Sequence, residues 1–417
     1  MRVLFLGGLA FLFLGLQGLL GSQAFAFDIL PEYQGINEAS LLKFESPVDI
    51  DSEYQIITNA YRQPLAWEKF WQEQSRAMDL TFGSLSNKTL YEYSRIKLDA
   101  PLLENLQFRF NYFAQRDAEI QQQRQILELV QRLSSSFSVS AYGTPNFYKR
   151  DSDMGFAVLV TPSERWEHRL YYTMHDLVRG DHNDQPDRYT KAPRSVGWTG
   201  GFRDGATWAR LGVRQDLSTV WQRPQEQRIF QYEKKLAFVD VQHAHDVRNS
   251  FGLRLQWDST AEAQEPDTSA NNSVVNQSWR LQRIQARLEW WRGEQDEPLR
   301  YGAALNHVQR QWRDVSGRQL QHFNESIVAM ASVRGARRAD GFDHLQLEYE
   351  YLWFSRFGEL SLAPSQKNSP HEQRLKVGYE FNFLRNAKLE FALNFDVDEW
   401  RTVPTFEGGQ GRFRIQL

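Results

Sequence analysis

Apolar residues recur at every second position through most of this chain, in runs of roughly ten residues, the length of a tilted membrane strand. The stretch "RLKVGYEFNFLRNAKLEFALNFDVDEW" (Arg374 to Trp400) shows the pattern most clearly. Leu375, Val377, Tyr379, Phe381 and Phe383 alternate with polar neighbours, as do Leu389, Phe391, Leu393, Phe395 and Val397 after the short break Arg385-Asn386-Ala387. A period of two means a strand, because successive side chains point to opposite faces. Two such arms around a tight turn read as a hairpin. "NLQFRFNYFAQ", "SFSVSAYG", "RIQARLEWW" and "HLQLEYEYLW" repeat the alternation with large, often aromatic residues on one face. No second set of elements is present in the pattern to cover that face.

The N-terminus gives the compartment. "MRVLFLGGLAFLFLGLQGLLGSQAFA" has a basic Arg2, an apolar run and the small-x-small site Ala24-Phe25-Ala26. Residues 1–26 therefore read as a cleaved secretory signal peptide. The chain has no Cys, which excludes a disulfide framework, a lipoprotein signal and thiolate metal sites. Removal of Arg2 leaves 48 basic and 52 acidic residues, a balance that gives no nucleic-acid signal.

After residue 26 no apolar stretch approaches the length of a transmembrane helix. Mean hydropathy is −0.60 although aromatics reach 14%. A closed barrel reconciles these values, since every backbone group pairs between strands and only alternate side chains meet lipid. Short polar turns at 132–136, 161–166, 202–207, 293–298 and 385–387 alternate with connections that include two long loops, 178–196 and 259–275. That asymmetry predicts short periplasmic turns and longer external loops. The expectation is an all-β, antiparallel up-and-down transmembrane barrel over 78–417, with about 18 strands and 16 as the alternative even count. The Trp residues fit two interfacial girdles, with Trp166, Trp208 and Trp279 opening strands and Trp257, Trp290, Trp312, Trp353 and Trp400 near strand ends.

Residues 27–77 differ. "PLAWEKFWQEQSRAM" sets Trp67, Phe70, Trp71 and Met78 near helical spacing behind Pro64, which reads as a periplasmic or plug segment. "DAEIQQQRQILELVQRL" has apolar residues that also suit a helix, but it is assigned to a strand because it must join two strands.

The final "GRFRIQL" puts Phe413, Ile415 and Leu417 on one face and Arg412, Arg414 and Gln416 on the other. Here the chain resembles the bacterial outer-membrane β-barrel class, over about 80–417 and in pattern alone. The resemblance implies an integral outer-membrane protein whose C-terminal strand is read by the barrel-insertion machinery. The class often ends in an aromatic residue where this chain has Leu417.

Two clusters invite chemistry. "HDLVRGDHNDQPDRY" carries His175, Asp176, Asp181, His182, Asp184 and Asp187, oxygen-rich enough for Ca²⁺, though the spacing matches no EF-hand and a solvated acidic loop accounts for it. "HAHDVRNS" holds His243, His245, Asp246 and Ser250, from which a Ser-His-Asp set can be drawn, but such a set is defined by geometry. No G-x-S-x-G, H-E-x-x-H or phosphate-cradling glycine loop is present. The sequence calls for no cofactor, no metal and no catalytic residue, so the expectation is that the protein is not an enzyme. The alternation turns Arg109, Arg283, Arg287, Glu289, Glu348, Glu350, Arg374, Lys376, Glu380, Lys388, Glu390, Arg412 and Arg414 toward the lumen. Charges of both signs on that wall point to a porin-like channel for small polar solutes or ions. The alternative is a barrel that scaffolds an envelope assembly or export complex, with the N-terminal segment docking a periplasmic partner. Outer-membrane lipids are the remaining expected partners.

Overall fold

The computed structural model describes residues 76–416 apart from 86–88, 117–120, 145–152, 176–187, 192, 224–227, 267–276, 295–296, 315–318, 339–340, 359–370, 385 and 398–405. Residues 1–26, read above as a signal peptide, nearly all of the 27–77 segment and the aspartates of the 178–196 loop lie outside these residues.

The order is β1 (Arg76–Leu85), β2 (Thr89–Leu103), β3 (Leu106–Arg116), β4 (Gln121–Arg132), β5 (Phe137–Gly143), β6 (Met154–Ser163) and β7 (Trp166–Met174). Then come β8 (Arg188–Lys191), β9 (Arg194–Arg203), β10 (Thr207–Arg223), β11 (Arg228–Ala244), β12 (Asn249–Pro266) and β13 (Gln277–Arg292). The chain ends with β14 (Leu299–Asp314), β15 (Gln319–Arg338), β16 (Gly341–Gly358), β17 (His371–Leu384), β18 (Ala387–Asp396) and β19 (Phe406–Gln416). β8 and β9 both pair with β10, one beyond the other, and are two pieces of one spanning strand. The break falls at Pro193, which has no amide hydrogen to give a ladder.

Every pairing is antiparallel, and β1 pairs with β19 from Ala77↔Gln416 to Gly83↔Gln410. The sheet is thus a closed barrel of 18 spanning strands, as the alternation predicts. Among the described residues no helix is long and apolar enough to cross a membrane. Turns on the side of the chain termini are short, from Glu104-Asn105 to 293–298. The opposite rim holds the longer connections, such as 144–153, 267–276 and 359–370. The predicted 259–275 loop is shorter than expected, because β12 continues to Pro266. The predicted 178–196 loop likewise gives way to strand at Arg188.

The outer face is an apolar belt. Phe251, Leu253 and Leu255 on β12, Leu288 on β13, Leu305 on β14 and Ile327 on β15 are all exposed. Their alternating neighbours, such as Ala304, Val328 and Arg287, are buried. On β4 the inward Ile126 and Val130 are buried while the outward Leu129 is exposed. Apolar residues on both faces of one strand explain why its spacing imitates a helix. Trp166 opens β7 on the outer face, stacked on His168 and against Phe202. Trp208 departs from the girdle expectation: it is buried, in the inward register of Arg210 and Arg214.

Closure has a direct consequence. With no free strand edge, the folded chain should resist SDS until boiled. Unheated and boiled samples should therefore run at different positions on a gel, and identical mobility would rule out the closed barrel.

Candidate functional site: the charged lumen wall

Register determines which charges meet inside. Arg109 lies opposite Asp99 on β2 and Glu128 on β4, 3.8 and 3.7 Å from their carboxylates. Glu128 also accepts from Arg169 on β7 at 2.7 Å. Further round, Arg210 and Arg254 share Asp240, at 3.1 and 3.0 Å. Arg283 donates through Nε to both oxygens of Asp258 (2.8 and 2.9 Å). Arg287 reaches Glu289 at 3.0 Å and Asn306 at 3.0 Å.

The densest network spans the seam. Lys376 sits between Glu348 (3.6 Å) and Glu390 (3.8 Å). Lys388 pairs with Glu380 at 2.8 Å, and Arg414 bridges Glu380 (3.6 Å) and Glu390 (2.5 Å). Arg412 clasps both oxygens of Asp79 at 2.9 and 2.6 Å, with Arg95 3.5 Å away. Glu350 lies opposite Arg374, which lies opposite Asp396. All the residues the alternation turned inward therefore share this wall. Asp79, Arg95, Glu128, Arg169, Arg210, Asp240, Arg254 and Asp258 complete these networks and escaped the sequence reading, since pairing needs register and not spacing alone.

Exposure sorts the wall into two tiers. Asp79, Glu128, Arg283, Arg287, Glu289, Glu350, Glu380, Glu390 and Arg412 are buried in ion pairs or opposite charged partners. The side chains of Lys388 (34%), Arg109 (26%), Lys376 (25%), Glu348 (25%) and Arg414 (14%) keep contact with solvent. Four of these five accessible groups are cationic. Among these charged groups the solvent-accessible ones are net positive, although the charges together nearly cancel.

One sector sets an apolar cluster around the Glu128–Arg169 pair. Ile126, Val130, Tyr142, Ala157, Leu159 and Tyr171 form a buried apolar cluster on the inner side of β4 to β7. Its rings lie flat because the neighbouring strand offers glycine. A Cβ at Gly155 would fall within the Tyr142 ring, and one at Gly197 would meet the Tyr171 ring and the Val213 carbonyl.

The two chemical clusters resolve differently. His243 hydrogen-bonds through Nδ1 with Thr207 at 2.9 Å. Asp246 accepts the backbone N–H groups of Arg248 (2.7 Å) and Asn249 (2.6 Å) and the Asn249 side chain (2.8 Å). These bonds, that of the Asn249 side chain foremost, hold the Asp246 carboxyl below its usual range. Asp246 is a turn cap, and Ser250, opposite Ala244, belongs to the β11–β12 ladder. An Asp-His-Ser set does occur elsewhere. Asp153 Oδ2 is 3.1 Å from His175 Nδ1, and His175 Nε2 is 3.0 Å from Ser195 Oγ. Ser195 is wholly buried, so the trio pins together the bases of two external connections. The backbone bonds Thr144 N–H to Asp153 and His175 N–H to Pro193 reinforce it. Among the described residues no group of three His, Cys, Asp or Glu is placed to hold a metal ion.

No family model matches the sequence, and no curated protein matches it. Solved structures similar in shape are outer-membrane proteins. The loop L8 deletion mutant of OmpT from Vibrio cholerae has 10% identity and a TM-score of 0.38, covering 82% of this chain and 97% of that one. OccK11 (OpdR) of Pseudomonas aeruginosa has 9% identity and a TM-score of 0.38, covering 82% and 94%. OccAB3 of Acinetobacter baumannii has 8% identity and a TM-score of 0.38, covering 82% and 97%. The fold assignment rests on the chain's own ladder and belt. By closure, even strand number, lipid-facing belt and turn polarity, it has the architecture of bacterial outer-membrane β-barrels.

Proposed function

We propose that this protein is exported to the outer membrane and acts there as a channel for small polar solutes or ions, with a preference for anions and no enzymatic role. The observation that carries the reading is the charged inner wall. Buried ion pairs add little stability, and apolar residues of similar volume often serve a filled interior as well or better. A wall that keeps Arg109, Lys376, Lys388 and Arg414 in contact with solvent suits the passage of ions instead. A barrel of ~18 strands is also wide enough to hold more than its inward side chains. The competing reading, a scaffold for an envelope assembly, is favoured by the near-complete burial of Asp79, Glu128 and Arg287.

Planar-bilayer recording separates the two. The purified barrel should give discrete conductance steps with an anion-leaning reversal potential. The combined variant Arg109→Gln, Lys376→Gln and Lys388→Gln should conduct but lean toward cations. It leaves Glu128 with Arg169, and Glu380 and Glu390 with Arg414, while Asp99 and Glu348, which lose Arg109 and Lys376, keep contact with solvent. Stable insertion without conductance, both from the full chain and after deletion of 27–75, would discard the channel and favour the scaffold.

A further inference from the structure

At the short-turn rim β2 outruns β1. β1 begins at Arg76, opposite Leu98, whereas β2 continues to Leu103, so residues 99–103 have β3 on one side and no part of β1 on the other. Pro101 stands in this overhang without an amide hydrogen, as residues at a sheet edge can. The overhang ends in Leu102 and Leu103, which are 54% and 69% exposed. The β4–β5 turn adjoins it, because the Arg132 N–H donates to the Asn105 carbonyl at 2.8 Å, and its Leu133 is 59% exposed. Single exposed leucines are ordinary, but three on two touching turns form an apolar patch of the kind that marks an interaction site.

The chain enters the barrel beside this patch. Each step back along β1 advances one residue along β2, from Leu85↔Thr89 to Arg76↔Leu98. Continued past Arg76, the same line reaches Leu102 at Gln72 and Leu103 at Trp71. Five residues of chain span roughly 17 Å, which equals the length of the overhang. The stretch "WEKFWQEQS" (67–75) therefore delivers its apolar residues, Trp67, Phe70 and Trp71, at the level of the leucines. Glu68 and Glu73 flank them, and Arg132, exposed beside Leu133, makes no ion pair among the described residues.

We infer that the leucine patch is the docking site of the chain's own N-terminal segment, with Trp67, Phe70 and Trp71 laid on Leu102, Leu103 and Leu133. Apolar surface leaves water on both sides of that contact, which is its driving force. The carboxylates of Glu68 and Glu73 bring opposite charge to Arg132. Residues 72–75 tie the aromatic residues to Arg76, so the encounter is intramolecular and favours this segment over a free partner or a second copy. The docking anchors the segment along the short-turn rim over β2 to β5, and it is independent of conduction.

Disulfide trapping in the full-length barrel tests it, because the chain has no Cys and an introduced pair reports alone. Gln72→Cys is combined either with Glu104→Cys, in the turn beyond Leu103, or with Gln416→Cys, opposite Ala77 on the other side of β1. A segment swinging freely from Arg76 reaches both positions. Mild oxidation should join the Glu104 pair at least about tenfold faster than the Gln416 pair. Adding Leu102→Ser, Leu103→Ser and Leu133→Ser together should slow the Glu104 pair to the rate of the Gln416 pair. Unheated and boiled samples of that variant should still differ in gel mobility, which shows that the barrel closes. Trypsin should cut after Lys69 about tenfold faster in the serine variant than in the wild type. Equal rates for the two pairs, or a Glu104 pair indifferent to the serines, would overturn the docking. A disulfide product of twice the chain mass would overturn it in favour of a second copy on the patch.

Discussion

Replacing Asp79 with Ala should destabilise the barrel by about 3–5 kcal/mol, the cost of breaking a buried ion pair from one side. Asp79 is fully buried and is shared by Arg412, at 2.6 and 2.9 Å, and Arg95, at 3.5 Å. Without it two guanidinium groups face each other across β1 with the central carboxylate gone. Arg412 still lies opposite Glu390. The measurement is the temperature or urea concentration at which the compact, unboiled gel band is lost. Replacing Asp79, Arg95 and Arg412 together with apolar residues of similar size should recover much of the loss, because the desolvation cost of the charges goes with them. A single Asp79→Ala variant as stable as wild type would show that this ion cluster holds nothing together.

Tyr349→Arg should obstruct assembly by a comparable amount. Tyr349 lies midway along the outward apolar row of β16 and is 39% exposed to the lipid side. A cation near the midplane of that face costs ~2–4 kcal/mol. Glu348→Gln, one position away, should assemble almost normally, because Glu348 faces the lumen beside Lys376. Folding yield into lipid vesicles reads both. Equal yields would mean that the strand is slipped by one residue, since that exchange swaps the faces.

The hairpin from Arg374 to Asp396 was legible because both of its faces have strict demands, lipid outside and paired charge inside. Residues 259–266 were misread as loop for the converse reason. In "STAEAQEP" the strand stands beyond the hydrocarbon, neither face needs large apolar side chains, and the alternation fades although the ladder continues. Trp208 was assigned to a girdle because an indole at a strand end usually marks the interface. Its burial reflects the inner register of β10, which alternation around a lone Trp does not fix. The inward charges were legible one strand at a time. Which carboxylate each one meets depends on pairing between strands as distant in sequence as β1 and β19. The Asp153, His175 and Ser195 alignment is of the same kind, three residues on separate segments that only the barrel brings together.

The pairing of β1 with β19 joins residues 333 positions apart, as in Asp79 with Arg412. The first strand to be synthesised must wait for the last one before its outer edge is satisfied. Until then the chain is an open sheet with two adhesive borders, and such long-range closure is slow compared with local hairpin formation. Loss of even the final ten residues would therefore do more than shorten one strand. It would leave both borders permanently available to other chains and convert a self-contained protein into a seed for aggregation.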